Sequence, residues 1–174
     1  LNFISENLIY IANYIYNFNV KSVSFYYLSI IKENNNYSIH GLWPQYDENS
    51  YPSYCNPVEF DIKKLDPIIE DLNKYWYSSI EKNENFWKHE YEKHGSCIPI
   101  DLNEYEYFKK TLDLFIFAKN NNLIQKYDLN NIEEKQKENL ENNTKNNKNN
   151  KSNKILIPLN LNFTFRDPLE VYHE

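Results

Sequence analysis

The sequence has little glycine, little cysteine and no methionine, and it lacks long apolar runs. Only Gly41 and Gly95 occur among 174 residues, together with two cysteines, Cys55 and Cys97. Two cysteines are too few for a fold built on disulfides, although they allow one bridge. No apolar run is long enough to cross a bilayer, so we expect no membrane-spanning helix. The absence of methionine, with Leu1 in first place, indicates a processed or trimmed chain.

A broad basic face is also missing from this chain. The formal net charge of −6 argues against sequence-blind binding to nucleic acid, but it allows a cleft that grips a few nucleotides. The chain is instead rich in aromatic side chains, and its 16 tyrosines and 10 phenylalanines supply burial without many aliphatic residues. Its length suits a single domain, which we expect to span residues 1–174.

Local patterns predict an α+β fold. Helical spacing of apolar residues predicts helices over residues 1–19, over the second half of 61–80 with Pro67 in the first turn, and over 104–120. β-Branched, aromatic or alternating apolar residues predict strands at 23–31, 37–42, 155–165 and 169–172. Residues 46–60 are typical of a loop. Residues 130–154 carry almost no apolar side chains, which predicts a flexible surface insert.

Both glycines lie in short stretches that also hold three of the four histidines. The first stretch is IHGLWPQ, residues 39–45, and the second is FWKHEYEKHGSC, residues 86–97. In each stretch a glycine directly follows a histidine, as His40-Gly41 and His94-Gly95. A chain that otherwise avoids glycine uses it where the backbone turns sharply or approaches another group closely. Both stretches are therefore candidates for a functional site.

The second stretch gathers its ionisable side chains on one face if it is helical. At 100° per residue, His89, Glu90, Lys93 and His94 fall within an arc of about 140°, and Phe86 lies inside that arc. We expect Gly95 to end the helix.

Such a face could belong to a metal site or to a metal-free site for acid–base catalysis. A zinc-protease helix needs its histidines four residues apart, whereas His89 and His94 are five apart and Lys93 would place a cation beside the metal. The zinc-deaminase pattern is also missing its Pro-Cys-x-x-Cys partner. A metal-free site fits better, because one neutral imidazole can accept a proton while a protonated one donates. A nearby lysine can hold a phosphoryl oxygen, and RNA supplies its own nucleophile, the 2′-hydroxyl.

Taken together, the two stretches resemble the active-site segments of the ribonuclease T2 family of acid endoribonucleases. The resemblance is good over residues 37–127, whereas residues 1–36 are a divergent N-terminal part. It implies a central, mainly antiparallel sheet with helices packed around it. It also implies cleavage of single-stranded RNA without metal or cofactor, which leaves 2′,3′-cyclic phosphate ends. We expect the protein to be a monomer. The family's setting implies a secreted protein, or one of the lysosomal or vacuolar lumen.

Roles follow from the resemblance residue by residue. It implies that His94 is the general base, that His40 is the general acid, and that Glu90 and Lys93 stabilise the pentacoordinate phosphate. The implied substrate-binding residues are His89 for phosphate, Trp43 as a stacking platform, and Gln45 and Phe86. The resemblance also implies a Cys55–Cys97 disulfide.

Some features depart from the family pattern. Gln45 stands where the family often has aspartate, and the family's C-terminal disulfide is missing. Two alternatives to the nuclease therefore stay open. One is a catalytically inactive secreted relative that binds or signals, which is expected to lack a motif histidine. The other is a metal-dependent hydrolase.

Overall fold

The computed structural model describes residues 21–34, 36–129 and 153–167. The helix predicted over residues 1–19, the strand predicted over 169–172 and residues 130–152 of the predicted insert lie outside the described residues.

A three-stranded antiparallel sheet forms one side of the described structure. Its strands are β1 (Phe25–Glu33), β2 (Asn36–Gln45) and β3 (Lys154–Leu159), and their order is β2-β1-β3. The α+β prediction with an antiparallel sheet is confirmed. β2 runs three residues beyond the predicted 37–42, so that it includes the whole of the first motif.

The last predicted strand is shorter than the alternating pattern suggested. β3 ends at Leu159 and the chain turns, so the prediction of a strand over 155–165 was wrong beyond that residue. Phe163 adopts a positive φ of 64°, and Phe165 then forms an antiparallel bridge back to Leu159. The Asn162 side chain accepts hydrogen bonds from Thr164, a local turn contact that apolar alternation does not encode. Lys154 opens β3, so the predicted insert extended one residue too far.

Four helical segments pack against the sheet among the described residues. They are α1 (Ile69–Tyr75), α2 (Asn83–Lys93), α3 (Glu104–Asn120) and a short helix at 123–129. Pro67 lies in a 3₁₀ segment, Ile62–Ile68, directly before α1 rather than in the first turn of α1. α1 is also shorter than predicted, because the chain leaves the helix at Trp76 and Ile80 is 90% exposed. The boundaries predicted for α3 are confirmed, and Asn103 and Glu106 close its N terminus with a capping box.

Aromatic side chains fill the core between the sheet and the helices. Trp76 is fully buried and packs against Tyr107 and Phe108. The indole N–H of Trp76 donates to the His40 carbonyl at 2.9 Å, and the Trp87 indole donates to the Trp76 carbonyl at 2.7 Å. Trp76 therefore links the backbone of β2 to helix α2, which are the two elements that carry the motifs.

Candidate active site

His40 occupies an irregularity in β2. In the β1–β2 ladder Ser29 pairs with Gly41 and Ile30 pairs with Ile39, so His40 is the extra residue of a β-bulge. In a regular strand, residues three apart point to opposite faces. The extra residue changes that phase, and His40 and Trp43 both line the same cleft.

Gly41 allows the Glu90 side chain to approach the β2 backbone closely. A methyl group at this position would collide with Glu90 Oε2 and would lie 2.5 Å from the indole nitrogen of Trp43. That nitrogen donates to Glu90 Oε2 at 2.8 Å. The first glycine is therefore needed so that the Glu90 carboxylate can reach Trp43 over the β2 backbone.

Helix α2 supplies the opposite wall of the cleft. Phe86, His89, Glu90 and Lys93 lie on α2, and His94 caps its C terminus through an N–H bond to the Glu90 carbonyl at 3.0 Å. All five side chains line a cleft of about 540 Å³ together with His40 and Trp43. The structure thus brings the two motifs together. The helix ends at Lys93, and Gly95 begins a 3₁₀ turn.

Glu90 lies at the centre of this arrangement. Its side chain is 2% exposed, and Oε1 lies 3.4 Å from His40 Nε2. Burial by itself raises the pKa of the carboxyl group, but the hydrogen bond and charge of His40 and the hydrogen bond from Trp43 oppose burial, and the pKa lies below its ordinary value. Glu90 is therefore ionised in mild acid.

His94 is held neutral by its surroundings. It is 3% exposed, and its ring stacks on Trp43 with centroids 5.0 Å apart and planes 26° apart. Burial lowers the pKa of His94 to about 4; Lys93 adds to the shift and Glu90 opposes it. The Nδ1 atoms of both His40 and His94 are buried without a hydrogen-bond partner among the described residues.

Of the other predicted substrate contacts, three line the cleft and one does not. Phe86 meets the His40 ring at 5.4 Å, and His89 is exposed at the cleft wall near Tyr54. Trp43 already contacts both His40 and His94, so its ring is part of the site's wall. Gln45 is not brought to the cleft. It is 4% exposed, and its amide donates to the Trp43 carbonyl at 3.5 Å.

The disulfide joins the site to the loop after β2. Cys55 and Cys97 are bonded, and the Cys55 N–H donates to Ser96 Oγ at 3.1 Å. Asn56 donates to the Ser96 carbonyl at 3.0 Å. The end of the second motif is thereby tied to residues 55–56.

Several residues of the cleft lining were not predicted from the sequence, and three of them are aromatic or basic. Tyr51 contacts His94 at 5.8 Å and lies under Lys93, Tyr77 lines the wall after α1, and Lys154 stands 5.3 Å from the Trp43 ring centroid. The predicted loop and insert concealed Tyr51 and Lys154, since neither residue belongs to a motif.

Among the described residues, no group of three or more histidine, cysteine, aspartate or glutamate side chains is arranged to hold a metal ion. No helix in the same part of the chain combines the length and apolar character needed to span a bilayer.

The fold and the cleft define a class of α+β proteins in which a sheet histidine and a helix histidine flank a buried carboxylate. Residues 12–156 match the sequence profile of the Ribonuclease T2 family, and the chain belongs to that family.

Individual relatives match over shorter spans. Ribonuclease DdI of Dictyostelium discoideum is 41% identical over 66 residues, covering 38% of this chain and 30% of that protein. Ribonuclease Oy of Magallana gigas is 42% identical over 86 residues, covering 45% of this chain and 40% of that protein. The chain therefore spans well under half the length of these relatives.

A solved structure extends the likeness in fold. The crystal structure of RNase NT in complex with 5′-AMP has a TM-score of 0.57 and 25% identity. The match covers 85% of this chain and 91% of the RNase NT chain.

Proposed function

We propose that the protein is an endoribonuclease that cleaves single-stranded RNA by metal-free transphosphorylation. The observation that carries the proposal is the convergence of His40, Glu90 and His94 on one cleft, from two motifs more than 40 residues apart in sequence. The volume of about 540 Å³ and the aromatic walls suit unstacked bases of a single strand.

His94 is the general base. Because its pKa is about 4, its ring is neutral in mild acid and can accept the proton of the 2′-hydroxyl. The 2′-oxygen attacks the adjacent phosphorus, and the bond to the 5′-oxygen of the next nucleotide breaks. Protonated His40 donates its proton to that leaving oxygen. The products are a 2′,3′-cyclic phosphate and a free 5′-hydroxyl, and DNA is not cleaved because it lacks the nucleophile.

Glu90 acts mainly through His40. Its ionised carboxylate has the same sign of charge as the phosphate, so direct contact with the phosphate would be repulsive. Its Oε1 lies 3.4 Å from His40 Nε2, where it orients the ring and gives a protonated imidazole an anionic partner. This assigns Glu90 a different task from the phosphate stabilisation that the family resemblance implied.

Lys93 supplies the positive charge for the phosphate. It lies at the cleft wall one residue before His94, and its ammonium group is 5.9 Å from the Tyr51 ring centroid. His89, exposed one turn earlier on α2, binds the phosphate from the same side. A preorganised positive charge such as that of Lys93 stabilises negative charge that grows in the transition state.

The disulfide and the histidines also support a proposal for the cellular location of the protein. A disulfide at the active site, between Cys55 and Cys97, persists in oxidising compartments. We place the protein outside the cell or in a lysosomal or vacuolar lumen, where mild acid also suits the two histidines. It acts there as a single-domain monomer.

The test is digestion of single-stranded RNA and of DNA of the same sequence at about pH 5 in EDTA, with end-group analysis of the products. The wild type should cleave only RNA and leave 2′,3′-cyclic ends. His40→Ala and His94→Ala should each lower the rate by at least about 100-fold, the lower end of the usual contribution of general acid–base catalysis. Cleavage that persists in both variants, or that is abolished by EDTA, would reject the mechanism. An inactive wild type would favour the binding relative.

A further inference from the structure

We propose that Lys154 is a substrate-binding residue that holds the phosphate adjacent to the scissile one. This inference rests on the proposed ribonuclease activity and adds the strand β3 to the site. Lys154 belongs to neither motif, and the sequence around it predicts only a polar insert.

The sheet register fixes the position of Lys154. Ile31 on β1 pairs with Ser38 on β2 and with Lys154 on β3, so the three residues form one row across the sheet. All three line the cleft. Paired residues on neighbouring antiparallel strands project to the same face. Lys154 is therefore directed to the cleft by backbone pairing and not only by the conformation of a long side chain.

Lys154 contacts different residues from Lys93, the lysine next to His94. Lys93 directly precedes His94 and its ammonium group lies over Tyr51, which also contacts His94, so we assign Lys93 to the reacting phosphate. The Lys154 ammonium group lies instead 5.3 Å from the ring centroid of Trp43, on which His94 stacks. Trp43 is thus shared by the base and by Lys154. A chain that passes His94 continues towards the sheet wall that carries Lys154.

Charge supports a second cation in the cleft. The protein carries a net charge of −6, and the cleft wall itself includes Glu33 and Glu81 as well as Glu90. A polyanion that crosses this wall is repelled unless lysines compensate. Lys93 and Lys154 are the lysines that line the cleft within the described residues.

The test compares substrates with one and with several phosphates. A dinucleoside monophosphate contains only the scissile phosphate, whereas a pentanucleotide supplies neighbours. Lys154→Ala should raise KM for the pentanucleotide about tenfold, leave kcat unchanged, and leave the dinucleoside kinetics as in the wild type. It should also reduce the slope of log KM against log salt concentration by about 0.7, the value for one single-strand phosphate contact. Lys154→Arg should restore most of the affinity.

Lys110→Ala is the matched control. Lys110 makes the same kind of contact, 5.4 Å from the Phe163 ring centroid, but it lies outside the cleft lining. Equal effects of the two alanine variants, or an unchanged pentanucleotide KM in Lys154→Ala, would overturn the proposal. A lower kcat on the dinucleoside would also overturn it, because Lys154 would then act on the scissile phosphate.

Binding of a DNA pentanucleotide, followed by fluorescence anisotropy, separates this proposal from the proposed function. DNA is not cleaved, so loss of binding in Lys154→Ala supports the contact even if the wild type proves inactive on RNA. Unchanged DNA binding, together with unchanged RNA kinetics, rejects it.

Discussion

Because His94 is buried, the folded protein should lose stability in acid. The substitution His94→Gln should remove this part of the loss. The pKa of His94 is about 4 in the folded protein, against an ordinary value of 6.5 for histidine. Between these values the unfolded chain binds a proton that the folded protein does not bind. Unfolding is therefore favoured as pH falls from about 6.5 to about 4, and the full loss is reached below the lower value.

The size of the effect follows from the shift. Each pKa unit corresponds to about 1.4 kcal/mol, so the complete shift lowers the free energy of unfolding by about 3 kcal/mol. Most of that change, about 2 kcal/mol, falls between pH 7 and pH 5. Glutamine at position 94 cannot titrate. The free energy of unfolding of His94→Gln should therefore lack the pH dependence that comes from His94 and keep the pH dependence that comes from other groups.

Urea unfolding of the wild type and of His94→Gln, with the disulfide intact, measures the difference at pH 7, 5 and 4. The free energy of unfolding of the wild type should fall relative to the variant by about 2 kcal/mol between pH 7 and pH 5. The control is His89→Gln, which changes an exposed histidine on the same helix and should follow the wild type. Parallel curves for the wild type and His94→Gln would show that His94 titrates normally, and would remove the argument that it is a neutral base in mild acid.

Two further predictions concern the backbone of the site. Gly41→Ala should lower kcat at least about tenfold, since misplacement of a catalytic group by about 1 Å can cost 100-fold and the new methyl group collides with Glu90; wild-type kcat in steady-state assays would refute the close approach. Replacing both cysteines by alanine should lower the free energy of unfolding by about 4 kcal/mol in the chain-entropy model, because the bridge spans 42 residues. Calorimetry checks this, and an unchanged melting temperature would contradict it.

The sequence predicted the helix wall of the site better than the sheet wall. The face formed by Glu90, Lys93 and His94 follows from helical periodicity, which depends only on residues within a few positions of each other. The two glycines identified both motifs because the rest of the chain avoids that residue. The α+β class and helix α3 were predicted for the same reason, since their signals are local.

The sheet wall depends on pairing between distant segments. The bulge at His40 exists because Ile30 pairs with Ile39 while Ser29 pairs with Gly41, and no local pattern in β2 encodes that register. Lys154 enters the cleft only because β3 pairs with β1. A low-complexity neighbourhood conceals such a residue, because its position in the cleft comes from the strand partner and not from its own sequence context.

The buried carboxylate explains why the two walls must meet with this geometry. An ionised Glu90 with 2% exposure is tolerated only where partners compensate the lost hydration, and both side-chain partners, Trp43 and His40, come from β2. The helix cannot supply these partners by itself, so docking of α2 on β2 and ionisation of Glu90 stabilise each other. The same docking buries His94 against Trp43, which lowers its pKa and keeps it neutral. One packing event thus orients His40 and keeps His94 neutral, which are the states that the proposed acid and base require, at the expense of stability in acid.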